Sequence, residues 1–424
     1  MYITHLSLTN FRNYGRLELK LPQSVTLLHG ANAQGKTNLL ESIYYLATTR
    51  SPAADNDQQI INWDANQPDE PIVVTRLVAQ IQTANNKKQI ELRLIKEAKP
   101  TGMSFRREAL IDRRKVRLMD LLGNLRVVLF VPQDMALING SPSARRRYID
   151  ITLCQTDSVY CRTLSSYNKT LEQRNAALRR AAETGRGHDV VSILTDNLVE
   201  LGSEIFKRRA QFIASLALEA QKIHYESLTG RHETIRLGYL PRLQYQGLAR
   251  GDDRQVDPFI ETADWLASET DVVNISQRFA ETLKSVYDKD VASGVTSIGP
   301  HRDDWRFWVN GRSLASYGSR GQQRSAMLAL KMAEIKRMRQ ETGEHPILLL
   351  DEVVAELDGQ RRALLLDYVQ NSTQAILTAT DPTMFTNRFL QSSSTILVQN
   401  GRVTINQPSP ENESNQPSSP ASSE

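Results

Sequence analysis

Cysteine is almost missing from this chain: Cys154 and Cys161 are the two among 424 residues. If they share a helix, their spacing holds them about 10 Å apart, beyond disulfide reach. Two reduced thiols point to the cytosol. No stretch is apolar and long enough to cross a membrane. The opening Met1-Tyr2-Ile3-Thr4-His5 has no basic region leading into an apolar one, so it does not read as a secretory signal. These absences argue against secreted, periplasmic and membrane-spanning classes. No internal repeat is visible.

What is present suits two or three domains with a composition that is 40% hydrophobic and 24% charged. The net charge is +4, and three of the acidic residues lie in the last 18 positions, so the body is mildly basic. That is compatible with a polyanionic partner without requiring one.

The first forty residues read as strand, strand, loop, helix. Leu17, Leu19 and Leu21 alternate with polar residues, Val25-Thr26-Leu27-Leu28 runs up to Gly30, and Leu39, Leu40, Ile43 and Leu46 share a helical face. Two alternating runs from Ile72 to Ile95 flank Ala84-Asn85-Asn86 and predict an antiparallel hairpin. Val127 to Val131 is a further apolar run, ended by Pro132. From about Tyr148 apolar residues fall at three- and four-residue steps, interrupted by Arg174 and Arg208, with Gly185-Arg186-Gly187 between two such stretches. This spacing predicts two antiparallel helices, a short coiled-coil-like arm, or equally two core helices of a helical lobe. Strand character returns near Val295, with a hairpin at Asn310-Gly311, a helix around Leu328 and Met332, and the strand Ile347 to Leu350. The expected division is a head from 1–147 and 291–406, an inserted helical lobe over 148–290, and a disordered Ser/Pro-rich tail over 407–424.

Gly30-Ala31-Asn32-Ala33-Gln34-Gly35-Lys36-Thr37 has the spacing of a phosphate-binding loop, with a strand before it and a helix, opening Asn38-Leu39, after it. Glycines let the backbone wrap phosphate oxygens, and the helix N-terminus faces the anion. Lys36 is placed to reach the outer phosphates of ATP and Thr37 to put its hydroxyl on Mg²⁺. A second half comes more than 300 residues later: the apolar strand Ile347 to Leu350 ends in Asp351-Glu352. A carboxylate there can hold Mg²⁺, and Glu352 can orient or deprotonate an attacking water.

Between these halves stands Ser316-Tyr317-Gly318-Ser319-Arg320-Gly321-Gln322-Gln323, small residues at a helix start. Such a loop is often only a cap, but free N–H groups, a hydroxyl and a favourable dipole also suit an anion. The layout resembles ABC-type ATPases, in which the corresponding loop presses on the γ-phosphate held by a second subunit. Ala355-Glu356-Leu357-Asp358 is similar to the D-loop of that class, and Gln133 to its Q-loop, a further candidate for the metal. The class usually carries a His after the next strand. Here Thr380 stands in that place, which predicts slow hydrolysis.

Leu8-Thr9-Asn10-Phe11-Arg12-Asn13-Tyr14 resembles the opening of the SMC-like, DNA-acting branch rather than transporters. With Pro132-Gln133-Asp134, Gly140-Ser141-Pro142, Arg145-Arg146-Arg147, Gln173-Arg174-Asn175, Gly299-Pro300-His301-Arg302-Asp303-Asp304 and Ser319 to Arg324, the pattern from residue 1 to about 400 is similar to the RecF family of DNA replication and repair proteins. The resemblance implies an α/β fold, an ABC-type P-loop ATPase head with an inserted helical lobe bearing the short arm. It also implies a cytoplasmic DNA-binding protein that forms an ATP-dependent homodimer and hydrolyses ATP slowly to let go. It further implies action at gaps with RecO and RecR, assistance to RecA loading and a link to the SOS response. On this resemblance Arg12, Asn38, Ser319, Gly321, Gln322 and Asp358 join the loop residues at the nucleotide, and Glu352, Asp351, Lys36, Gln133 and Thr380 carry the chemistry.

Arg106-Arg107, Arg113-Arg114-Lys115-Arg117, Arg145-Arg146-Arg147 and Lys207-Arg208-Arg209 are candidate DNA contacts, some expected in a cleft between two subunits, though any one can be a solvated face and Arg145 to Arg147 can brace the lobe. No base-reading motif is visible. His301 beside Asp303-Asp304 reads as a structural hydrogen-bonding group more than as a metal ligand. Two other functions stay open: an ATP-holding DNA scaffold without turnover, against which Glu352 argues while Thr380 leaves it room, and a transporter's energising subunit, against which the insert and Asn10 to Arg12 argue.

Overall fold

A computed structural model describes residues 1–67, 70–100, 102–243 and 257–406. The expected disordered tail over 407–424 lies outside the described residues, as does part of the polar stretch before residue 257.

The chain begins with β1 (Tyr2–Phe11), β2 (Tyr14–Lys20) and β3 (Val25–His29), then α1 (Lys36–Thr48). Next come β4 (Ile72–Gln82), β5 (Lys87–Lys99), β6 (Gly102–Ile111), β7 (Arg114–Val116) and β8 (Val127–Phe130). Three long helices follow: α2 (Pro142–Thr156), α3 (Ser158–Thr184) and α4 (His188–Ile223). The rest supplies β9 (Ile235–Leu240), β10 (Asp304–Val309), β11 (Arg312–Ser313), α5 (Arg320–Thr342), β12 (Ile347–Asp351), α6 (Gly359–Gln370), β13 (Ala375–Ala379), β14 (Ser393–Gln399) and β15 (Arg402–Asn406).

Three sheets result. The order β15-β14-β3-β13-β12-β8 forms the nucleotide-side sheet, parallel except for β15. β3, β13, β12 and β8 are buried on both faces, so they read as nearly unbroken apolar runs. In β12, Ile347 and Leu349 enter one core while Leu348 and Leu350 enter the other. An antiparallel sheet, β2-β1-β4-β5-β6-β7, covers the α1 side, and its β4–β5 hairpin turns at Ala84-Asn85-Asn86 as the alternation predicts.

The third sheet, β11-β10-β9, joins the insert to the head. β9 lies inside 148–290, yet it pairs along its whole length with β10 beyond that range. The hairpin α3–α4 shows both expected characters. Its tip holds a small cluster of Leu178, Ala181 and Val191, while from Leu198 onward the buried face of α4 belongs to the large core that also contains β9, α5 and the helix Val272–Ser285. Arg174 interrupts the apolar stripe because it is fully buried against Asp290, Thr195 and Thr296.

Two expectations need correction. Cys154 and Cys161 do not share a helix: they sit on α2 and α3 on either side of the Asp157 corner, and both line one cleft. The turn at Asp157 folds the second helix back, which spacing along one helix could not reveal. Two of the basic clusters are likewise partly interior. Arg145 makes a bidentate pair with Asp304, and Arg209 is enclosed by Asp150, Asp303, Tyr160 and the Pro300 carbonyl.

Candidate nucleotide site

The phosphate loop follows β3 directly and ends at α1. Its shape demands backbone that side chains resist: Gly35 has φ 114° and Gly30 φ 143°. A Cβ on Gly35 would lie 2.5 Å from Asn13 Nδ2, and one on Gly30 would lie 2.4 Å from the Val398 carbonyl. Neighbouring strands clamp the loop from outside. Asn13 Nδ2 donates to the Gln34 carbonyl at 3.0 Å, Tyr14 O–H donates to the Gly35 carbonyl at 2.9 Å, and Asn38 Nδ2 donates to Asn13 Oδ1 at 2.8 Å. From the β14–β15 turn, Asn400 N–H donates to Gln34 Oε1 at 2.8 Å. Ala31, Asn32, Ala33 and Gln34 lie between the two glycines, with Ala33 also at positive φ.

Lys36 Nζ donates to the Gly30 and Ala31 carbonyls at 2.8 and 3.0 Å, and lies 3.5 Å from Glu352 Oε1. Thr37 O–H donates to Asp351 Oδ1 at 3.0 Å. The two halves that stand more than 300 residues apart therefore meet, because β3 and β12 flank β13 in one parallel sheet and release their C-terminal ends at the same edge. Burial pushes the Asp351 carboxyl above the usual carboxylate range, opposed by the Thr378 and Thr37 hydroxyls. Its oxygens and the Thr37 hydroxyl are hard donors of the kind Mg²⁺ prefers. Glu352 follows in a left-handed conformation, φ 54°, which aims its half-exposed carboxylate away from the strand.

Thr378 was not anticipated. Its hydroxyl donates to Asp351 Oδ1 and accepts the Glu352 N–H, so one side chain fixes both acids. A threonine inside an apolar strand looks like ordinary strand propensity, and only the Asp351↔Thr378 register exposes its role.

The remaining candidates divide. Gln133 is exposed on the turn after β8, and its side chain makes no hydrogen bond among the described residues. Thr380 is exposed just past β13. Arg12 is committed elsewhere: its guanidinium makes a bidentate pair with buried Glu41, at 2.9 and 2.8 Å, and donates to the Gln59 carbonyl. It braces α1 from behind.

Ser319 caps α5 in a reciprocal box, accepting the Gln322 N–H at 3.2 Å while its own N–H donates to Gln322 Oε1 at 2.9 Å. It opens onto a groove of about 300 Å³ with Gly321, Gln322, Glu233, His232 and Arg361. No phosphate-loop residue lines that groove. Asp358 caps α6 and pairs with Arg361, whose Nε also donates to Ser325 Oγ at 2.7 Å, which ties the D-loop-like segment to α5.

His301 keeps both ring nitrogens occupied, Nδ1 by the Tyr167 hydroxyl at 2.8 Å and Nε2 by the Thr296 carbonyl at 3.0 Å. It is a structural group, and neither nitrogen is left for a metal.

Residues 2–404 match the family described as RecF/RecN/SMC N terminal domain. A DNA replication and repair protein RecF from Roseiflexus castenholzii is 39% identical over 416 residues, covering 95% of this chain and 99% of that one. The chain belongs to the RecF family. The RecF protein of Bacillus subtilis is 35% identical over 405 residues, covering 95% of this chain and all of its own. Two solved structures of the recombination mediator protein RecF in the RecFOR pathway, one as RecF-ATPrS and one as RecF-ATP, have TM-scores of 0.78 and 0.77 at 28% identity, each covering 95% of this chain. The fold is therefore the ABC-type ATPase head with an inserted helical lobe, and the RecF family places the chain among ATP-binding proteins of DNA replication and repair.

Proposed function

We propose that this chain is a cytoplasmic ATP-driven DNA clamp that closes as a homodimer and opens on slow hydrolysis. The observation that carries the reading is the separation of two half-sites. Ser319 and Gly321 offer an anion-binding helix start in a groove that contains no phosphate-loop residue, so the loop of a second copy is the partner that would complete it.

In this reading the loop from Gly30 to Thr37 wraps the triphosphate and Lys36 turns from its loop carbonyls to the outer phosphates. Thr37 and Asp351 would hold Mg²⁺, with Gln133 a further candidate ligand, and the ion would supply charge neutralisation at the phosphates. Thr378 keeps Asp351 in place. Glu352 takes the proton of the attacking water as the new P–O bond forms, and the bond to the leaving ADP oxygen breaks. Ser319, Gly321 and Gln322 of the second copy stabilise the charge on the γ-phosphate, and Asp358 stands at the same seam. Thr380 offers a hydroxyl where a protonated imidazole would speed the step, which supports slow turnover. Closure is driven by the higher affinity of ATP for the closed form.

DNA contact is assigned to cations that form no ion pair among the described residues. Arg146 and Arg147 donate to the Asp303 and Ser51 carbonyls, and with Arg50 they line a cleft of about 760 Å³ between the head and α2–α3. Arg113 on the β6–β7 turn and Arg114 at the start of β7 stand exposed. Binding of this kind tracks phosphates and weakens steeply with salt. RecO and RecR as partners, assistance to RecA at gaps and a part in the SOS response follow the family reading.

The test is sizing in solution without nucleotide, with ADP and with ATP, each with and without gapped DNA. The expected result is a monomer that dimerises with ATP and more tightly on DNA. A Lys36→Ala chain that still binds ATP, dimerises and holds DNA would contradict the proposal.

A further inference from the structure

The helix that carries Ser319 is tied to the turn that carries Gln133 by buried charge. Asp134, next to Gln133, uses Oδ2 to accept the Val131 N–H at 2.9 Å, which closes the turn after β8. Its Oδ1 lies 3.4 Å from Nζ of Lys331. Lys331 sits on α5, about 18 Å along the axis from Ser319 at 1.5 Å per residue. It is buried, between Met327, Leu328, Leu330 and Met332 of the same helix, all of them in the large core.

The cluster continues into the insert. Lys331 Nζ lies 3.8 Å from Glu334 Oε2 and 4.7 Å from the centre of the Tyr148 ring. Glu334 in turn accepts the Tyr148 O–H at 2.6 Å and the Thr152 O–H at 3.0 Å, both from α2. Burial pushes the Asp134 and Glu334 carboxyls up, and in each case Lys331 is the leading influence pulling back down. One ammonium therefore serves a buried carboxyl on its own helix and a partly buried one on the turn.

A methionine would fill the same space without any desolvation cost, so packing alone does not explain a lysine here. A buried ion pair differs from an apolar contact in leaving an uncompensated charge when its partners separate. Apolar surfaces can slide by an ångström, whereas a desolvated ion pair cannot do so cheaply. We infer that Lys331 is a positioning residue that makes α5 move with the Gln133 turn, so that nucleotide bound at the phosphate loop of a subunit sets the Ser319 end of that same subunit for its partner. This inference rests on the reading that ATP drives dimerisation.

The experiment compares wild type, Lys331→Met and Lys331→Arg by two readouts on the full chain: affinity for a fluorescent ATP analogue at concentrations where the protein is monomeric, and the dimerisation constant with ATP. Lys331→Met is expected to bind the analogue within about twofold of wild type and to dimerise at least tenfold more weakly, with Lys331→Arg recovering most of the loss. A Lys331→Met chain that dimerises like wild type overturns the inference, as does one that loses nucleotide affinity and dimerisation in step, because that is the mark of a merely structural residue. Should Lys331→Met fail to fold, Asp134→Asn runs the same comparison, since its amide oxygen still accepts the Val131 N–H while the charge is gone. A wild-type chain that stays monomeric with ATP defeats the dimerisation reading and this link together. A wild type that dimerises beside an unaffected Lys331→Met defeats the link alone.

Discussion

Thr378 holds Asp351 and Glu352 in one hydrogen-bonded turn: its hydroxyl donates to Asp351 Oδ1 at 2.8 Å and accepts the Glu352 N–H at 2.9 Å. Replacing it by valine keeps the shape and strand propensity but leaves a buried carboxylate oxygen with one donor fewer. Thr378→Val should lower ATP turnover at least tenfold, a cost of about 1.4 kcal/mol or more in the transition state. Phosphate release at saturating ATP measures it, and unchanged turnover would remove Thr378 from the site.

Glu352 occupies a strained left-handed position, and its carboxylate is half-exposed 3.5 Å from Lys36. Glu352→Gln keeps the size and the backbone while removing the proton acceptor. ATP binding should persist, hydrolysis should fall at least a hundredfold, and the dimer should accumulate with ATP in light scattering. A scaffold without turnover would show no difference from wild type.

Gly35 cannot be an alanine without moving the clamp around it, since the new Cβ would meet Asn13 Nδ2 at 2.5 Å and the residue would be held at φ 114°. Gly35→Ala should weaken ATP binding at least tenfold by calorimetry, with a strain of about 1–3 kcal/mol. Asn13→Ala in the same chain relieves the clash but not the torsion, so rescue should be partial.

Arg174 and Asp290 are fully buried partners 3.0 Å apart. Breaking such a pair leaves an unmatched charge in the core, about 3–5 kcal/mol. Arg174→Leu should therefore lower the urea midpoint far more than Arg208→Leu, because Arg208 meets Asp157 and Glu204 while about a third exposed and such pairs are worth up to about 1 kcal/mol. Equal effects would show that the two interruptions of the arm's apolar stripe are equivalent.

Burial lowers His301 to about 4 from its ordinary 6.5, so the folded chain releases a proton that the unfolded chain keeps. This contribution is fully present above pH 6.5 and is lost as pH falls towards 4. Burial raises the nearby Asp303 to about 6, which has the opposite effect: the folded chain takes up its proton first and gains stability on acidification from pH 6. His301→Gln leaves the Asp303 contribution alone. Its deficit against wild type should shrink by about 2 kcal/mol between pH 7 and pH 5 in denaturant titrations. A deficit independent of pH would mean that His301 does not titrate in this range.

The chain by itself specified the local pieces. The phosphate loop was legible because its glycines, Lys36 and Thr37 act within eight consecutive residues between a strand and a helix. Strands β3, β8, β12 and β13 were legible because burial on both faces leaves them almost wholly apolar, whereas the half-buried β14 carries no such run. Tertiary structure alone decided which distant groups meet. Thr37 and Thr378 both reach Asp351 through strand order, Arg12 turns to Glu41, and Arg145 and Arg209 are drawn inside although Arg147 and Arg208 beside them keep contact with solvent. Burial and pairing are properties of the packed molecule, so an arginine in a basic run and a threonine in an apolar strand carry no local mark of the partner that packing will give them.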